Sequence, residues 1–175
     1  MTVPTMNATA DDAPLALIAQ TESSAFGELY LRHAARVYRY VYVRVGQAQL
    51  ADDLTAETFL AAFKSLGAYR EQGAFAGWLL GIARNVVADH FRTHKPDLSL
   101  DALGDYPQDQ PSPEERVGQR LELQNLRRAL RYLTDEQVEV VRLRMFAELS
   151  TSETARLLGK SEAAIKMLLH RALRE

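Results

Sequence analysis

The chain contains no cysteine. Disulfides and thiolate-bound zinc or iron–sulfur centres are therefore excluded, and with them the disulfide-stapled secreted domains. No stretch approaches the ~20 consecutive apolar residues of a membrane-spanning helix. The opening MTVPTMNATADDAPLALIAQ holds no lysine or arginine and only a short apolar stretch. It does not read as a secretory leader, so a cytoplasmic protein without membrane insertion is expected. Asn-Gly and Asp-Gly pairs are absent, and no segment alternates with the period of two that marks a half-buried strand.

What remains is a helical pattern. Hydrophobic residues make up 47% of the 175 and charged residues 25%, as in a soluble globular protein. The net charge of −2 argues against indiscriminate nucleic-acid binding, but the charges are unevenly placed. Residues 14–95 carry 9 basic against 7 acidic side chains, residues 96–119 carry 1 against 6, and residues 120–175 carry 11 against 8. Two mildly basic blocks flank an acidic one. Opposite blocks of this kind permit a compact, closed arrangement of the free chain.

In the first block, Phe26, Leu29, Tyr30, Val37, Val41 and Val45 recur at helical spacing, and Gly46 ends that helix. Leu50, Leu54, Phe59 and Phe63 repeat the pattern up to a stop at Gly67. A third helix is expected from Phe75 to about Arg92, with Trp78, Leu79, Ile82, Val86 and Phe91 on its apolar side. These helices define a domain over 14–95. Residues 96–112, PDLSLDALGDYPQDQPS, are acidic, rich in Pro and Gly, and lack a helical period, which is linker composition. Helix restarts in 113–133, where Ser112 and Glu115 form a capping box with Pro113 at the first helical position. TDEQ at 134–137 and STSE at 150–153 are two further capping boxes, and Ser161 caps a last helix running almost to Glu175. The expected fold is all-α: two small helical domains, 14–95 and 113–175, joined by an acidic linker.

The last two helices meet at Gly159. A DNA-reading helix-turn-helix needs a small residue at the crossing, a turn residue tolerant of positive φ, and an apolar residue facing back from the second helix. Ala155, Gly159 and Ile165 supply these, and Leu158 and Leu168 extend the seam. At 100° per residue Leu168, Leu169, Ala172 and Leu173 fall on the side of Ile165. Ala163, Lys166, Met167, His170, Arg171 and Arg174 point away. Ser161 and the first N–H groups of the last helix suit a phosphate. The same pattern also fits a plain αα-hairpin with a solvated basic face.

The first domain weighs on that choice. ADDLTAETFLAAFKSLGAYREQGAFAGWLLGIARNVVADHFR, residues 51–92, resembles domain 2 of bacterial sigma factors of the small extracytoplasmic-function type, and the segment from Leu126 to Leu173 resembles their domain 4. The resemblance covers residues 22–174. It implies a protein that binds core RNA polymerase and directs it to promoter DNA. Such a protein melts the −10 element with domain 2 and recognises the −35 element with domain 4. It is not an enzyme and needs no cofactor, metal or small-molecule substrate. The helix with Asp52, Asp53, Leu54, Glu57 and Phe59 would dock on the polymerase, acids steering and apolar groups holding. Tyr69, Arg70, Phe75, Trp78, Arg84, Asn85 and Arg92 would receive the melted −10 strand, where aromatic and arginine surfaces offset the cost of unstacking. Ser161, Lys166, Met167, His170 and Arg171 would face the −35 duplex. Met167 and Leu168 depart from the commonest pattern, so a typical −35 sequence is not assumed. The linker would enter the polymerase as an acidic RNA mimic, or serve as an ordinary linker. An anti-sigma protein is a further possible partner.

Two alternatives belong to other classes. A stand-alone helix-turn-helix regulator would need a dimer interface, for which no heptads are present. A metal site at His90 and His94, with Asp89 adjacent, lacks the HExxH pattern; the two histidines also fit a helix end near Pro96.

Overall fold

The computed structural model describes residues 12–70, 74–93 and 132–174. Its helices are α1 (Ala13–Ile18), α2 (Ser23–Val45), α3 (Ala48–Ser65), α4 (Phe75–Thr93), α5 (Asp135–Val141), α6 (Thr151–Leu158) and α7 (Glu162–Ala172). A 3₁₀ turn, Leu66–Ala68, follows α3, and a π-helical segment, Arg142–Phe146, continues α5. No strand occurs among the described residues. The linker 96–112 and nearly all of the helix expected over 113–133 lie outside them.

Helices α2, α3 and α4 share one core because each carries an apolar stripe at the helical period. Leu29, Val37, Tyr40 and Val41 meet Leu54, Phe59 and Ala62, and Phe75, Leu79, Leu80, Ala83 and Val87 close the centre. Helix α2 stops at Gly46, whose φ of 76° is open to glycine and strained for other residues. Gly67 ends no helix in that way. It lies inside the 3₁₀ turn without a positive φ, so α3 tightens into its successor rather than reversing. Helix α1 adds an element beyond the three expected in this unit; Ala13, Ala16 and Ala19 are buried against this core.

The capping boxes at the starts of α5 and α6 are both formed: Thr134 with Gln137, and Ser150 with Glu153. Ile165, Ala155 and Val140 make the buried centre of the C-terminal unit, flanked by Leu158, Leu168 and Leu169. Leu173, expected on the same seam, is 66% exposed because α7 ends at Ala172 and the helical period no longer governs it.

The two units pack against each other. Leu143, Ala147 and Leu149 are fully buried and join the core of α2. Leu157 of α6 comes so close to α4 that a Cβ on Gly81 would stand 3.3 Å from its Cδ1. Glu139 is a polar hub between the units. It accepts a 2.7 Å hydrogen bond from the Tyr40 hydroxyl and lies 3.6–3.9 Å from Arg142, Arg84 and Arg44. Burial and the Glu139 charge push the Tyr40 phenol well above its ordinary range. Glu148, with a left-handed φ of 53°, pairs with Arg39 at 2.8 Å. Arg39 also donates to the Phe146 carbonyl.

His33, 5% exposed, joins α1, α2 and α4. Its Nε2 lies 2.7 Å from an Asp12 carboxylate oxygen, and its ring packs edge-on against Phe75 at 5.4 Å. Nδ1 has no hydrogen-bond partner. Protonation would add a buried N–H without an acceptor. Burial, with Arg36 and Arg32 nearby, lowers the His33 pKa from 6.5 although Asp12 pulls upward. The unfolded chain then binds more protons than the folded one below that value. Stability is accordingly expected to be full above about pH 6.5 and to fall as pH drops through the window below it. Thermal melts of His33→Gln, which keeps a donor for Asp12, should show a flatter pH dependence than the parent chain.

Candidate nucleic-acid interface and acidic face

On α3 the acids Asp52, Asp53 and Glu57 are exposed. Leu54 and Phe59, expected as their apolar anchors, are 3% and 4% exposed and face the core. They are unavailable as surface anchors in this arrangement. The exposed apolar side chains beside the acids are Leu60, at 54%, and Phe63, at 48%. Asp53, Glu57 and Leu60 follow one another at offsets of four and three, so they form one stripe. That spacing is legible in the sequence, and so is the place of Leu54 and Phe59 on the apolar stripe of the same helix, which turns them inward. Phe63 packs on Phe26 at 5.0 Å, and Tyr30 on Phe59 at 4.7 Å, so an aromatic bed underlies the patch.

The residues expected to meet the −10 strand divide into two sets. Tyr69 and Phe75 are 1% and 0% exposed and stack edge-on at 5.7 Å. They are core residues here. Both rings support Trp78, 5.2 and 5.5 Å away, which is only half-buried. Trp78, Asn85 and Arg92 recur every seven residues along one side of α4. Asn85 and Arg92 are exposed, and Arg92 pairs with Asp89 at 3.0 Å. Arg84 points instead toward Glu139 of the other unit, 3.7 Å away. Arg70 folds back on its own turn, donating to the carbonyls of Gly67 and Tyr69. Arg70 and Trp78 line a cleft of about 430 Å³ whose opposite wall is Glu153, Arg156 and Leu157 of α6.

In the C-terminal unit Gly159 has φ 63° and ψ 34°, the left-handed cap that lets α6 turn into α7. Ile165 is fully buried, which turns the opposite face of α7 outward. Lys166, Met167, His170 and Arg171 are all exposed there. The Ser161 hydroxyl accepts from the Ala164 N–H at 3.2 Å, fixing the start of the helix. Next to it Lys160 reaches Glu136 at 2.8 Å and ties the turn to α5. Among the described residues no group of three or more His, Asp or Glu is placed to hold a metal ion. His94 lies outside them.

Two sequence families match this chain in order: Sigma-70 region 2 over residues 29–96 and Sigma-70, region 4 over residues 123–175. The ECF RNA polymerase sigma factor BldN of Streptomyces coelicolor is 45% identical over 156 residues, 87% of this chain. The chain spans 59% of that relative's length. The ECF RNA polymerase sigma factor SigD of Mycobacterium bovis is 31% identical over 169 residues, covering 93% of this chain and 80% of SigD. Among solved structures, CnrH in complex with the cytosolic domain of CnrY superposes with a TM-score of 0.70 at 26% identity, over 96% of this chain and 94% of that one.

Proposed function

Since this chain belongs to the ECF RNA polymerase sigma factors, we propose that it binds core RNA polymerase and directs it to promoters, recognising −35 and −10 elements and helping to melt the latter. It acts by binding energy, with no catalytic step of its own. The observation that carries this reading is the pair of uncovered surfaces on one chain. The acidic stripe of α3 suits a basic protein partner, and the outer face of α7 suits a DNA groove.

In this reading residues 14–95 form the unit that holds the polymerase and the −10 strand, and residues 113–175 the unit that reads the −35 duplex. Asp52, Asp53 and Glu57 steer docking, with Leu60 and Phe63 as its apolar contact. Arg70, Trp78, Asn85 and Arg92 take the freed strand. Lys166, Met167, His170 and Arg171 enter the major groove, where Met167 suits a thymine methyl group. Ser161 and the start of α7 lie near a phosphate. An anti-sigma protein that covers these faces would hold the factor inactive.

The test is reconstituted transcription. The purified chain is mixed with bacterial core RNA polymerase and fragmented genomic DNA of its source, and the transcript starts are sequenced. Discrete, protein-dependent starts that share upstream −35 and −10 motifs are expected. Tight duplex binding by the chain alone, without such starts, would support a stand-alone regulator instead. A second experiment addresses docking. Asp52→Ala combined with Asp53→Ala should weaken core-polymerase affinity about tenfold and most strongly at low salt, because two steering charges are lost. Unchanged affinity in a direct binding titration would remove these acids from the interface.

A further inference from the structure

Helix α1 and its flanks, residues 12–22, lie ahead of the region 2 match, yet they are built into the same unit. At the front, the Asp12 carboxylate is held by Arg32 and His33 of α2. At the back, the Gln20 side-chain amide donates to the carbonyl of Leu66 at 3.0 Å and to that of Tyr69 at 3.1 Å. Both N–H bonds of one NH₂ group are thus used, one at each end of the 3₁₀ turn.

That turn carries the chain from α3 toward Arg70 and Trp78. Two further bonds show how closely it is wound: the Tyr69 N–H donates to the Leu66 carbonyl, and Arg70 donates to the Tyr69 carbonyl. The Tyr69 carbonyl therefore has two donors, Gln20 and Arg70. If Arg70 swings away to a phosphate, the bond from Gln20 stays.

Resting on the sigma-factor reading, we propose that Gln20 is a positioning residue for promoter melting. Its amide holds the Leu66–Tyr69 turn while Arg70 and Trp78 exchange their contacts within the protein for the freed −10 strand. A lost donor pair should loosen the turn in the free chain and loosen it further in the open complex, where Arg70 is engaged elsewhere.

Gln20→Ala, Gln20→Glu and Gln20→Lys in the full chain separate this role from a general one. Alanine removes both donors, glutamate sets a carboxylate against two carbonyl oxygens, and lysine restores donors. Hydrogen exchange over residues 66–70 is expected to quicken in the alanine and glutamate variants and to recover with lysine. With core polymerase, binding of a single-stranded −10 oligonucleotide and open-complex formation should fall about tenfold for alanine, further for glutamate, and recover for lysine. Core affinity should be unchanged throughout. Parental exchange and parental melting in the alanine variant would overturn the proposal. So would a parallel loss of core affinity, −10 binding and heat stability, which would mark Gln20 as merely structural. If the parent chain forms no open complex with core polymerase, the functional reading itself fails, a result distinct from either.

Discussion

Ile165→Ala is expected to unfold the C-terminal unit while the helices of the N-terminal core remain folded. Ile165 is fully buried in a small centre shared with Val140 and Ala155. Truncating a buried isoleucine to alanine destabilises by about 2–5 kcal/mol, part from lost transfer energy and part from the cavity left behind. Residues 132–174 correspond to only about 2–6 kcal/mol in total. The helices around Ile165 are short, α6 with 8 residues and α7 with 11, so they depend on packing rather than on their own propensity. Lost amide dispersion confined to residues 132–174, with −35 duplex binding lost alongside, is the expected result in an NMR titration. Ile165→Val, which removes one methylene, should cost no more than about 1.5 kcal/mol and keep DNA binding. A parental melt for the alanine variant would mean that the packing with α2 and α4, and not this centre, holds the unit together.

The second large effect concerns Glu139. Its carboxylate meets one hydroxyl and three guanidinium groups, and its side chain is 12% exposed. Removing it leaves Arg44, Arg84 and Arg142 facing one another with no acid between them. Burial already lowers the Arg142 pKa, an effect the Glu139 charge opposes. Breaking a buried ion pair on one side costs about 3–5 kcal/mol, but these arginines keep partial access to water, so about 1–3 kcal/mol is the appropriate scale. Glu139→Ala should therefore separate the two units. In small-angle scattering the radius of gyration is expected to rise relative to the parent chain. An unchanged radius would assign the closed arrangement to the apolar contacts of Leu143, Leu149 and Leu157 instead.

The helices and their caps were legible because their causes are local. Thr134 and Gln137, or Ser150 and Glu153, are three residues apart and need nothing else to form a capping box. Gly159 was legible for the same reason, since a left-handed cap is a property of one residue. The site was legible only in part. Tyr69, Phe75, Leu54 and Phe59 are aromatic or apolar residues in segments read as functional, and period alone does not decide whether such a side chain serves a core or a surface. Helix α1 is not legible in the sequence because its buried face is made of alanines, whose burial depends on α2 being there to meet them. The π segment is not legible either, because Leu143 within it packs against a helix about a hundred positions earlier in the chain.

The contact between Arg84 and Glu139 acts as a tax on every ligand that needs Arg84 free. If only a fraction of the molecules is open, the apparent affinity of such a ligand falls by that fraction. Each 1.4 kcal/mol of closure then weakens the binding of such a ligand about tenfold, with no change in the ligand's own contacts. Reciprocity holds as well: a partner that binds only the open chain opposes closure by the same free energy with which closure opposes it. The strength of one carboxylate hub thus sets the concentration of partner at which the chain responds.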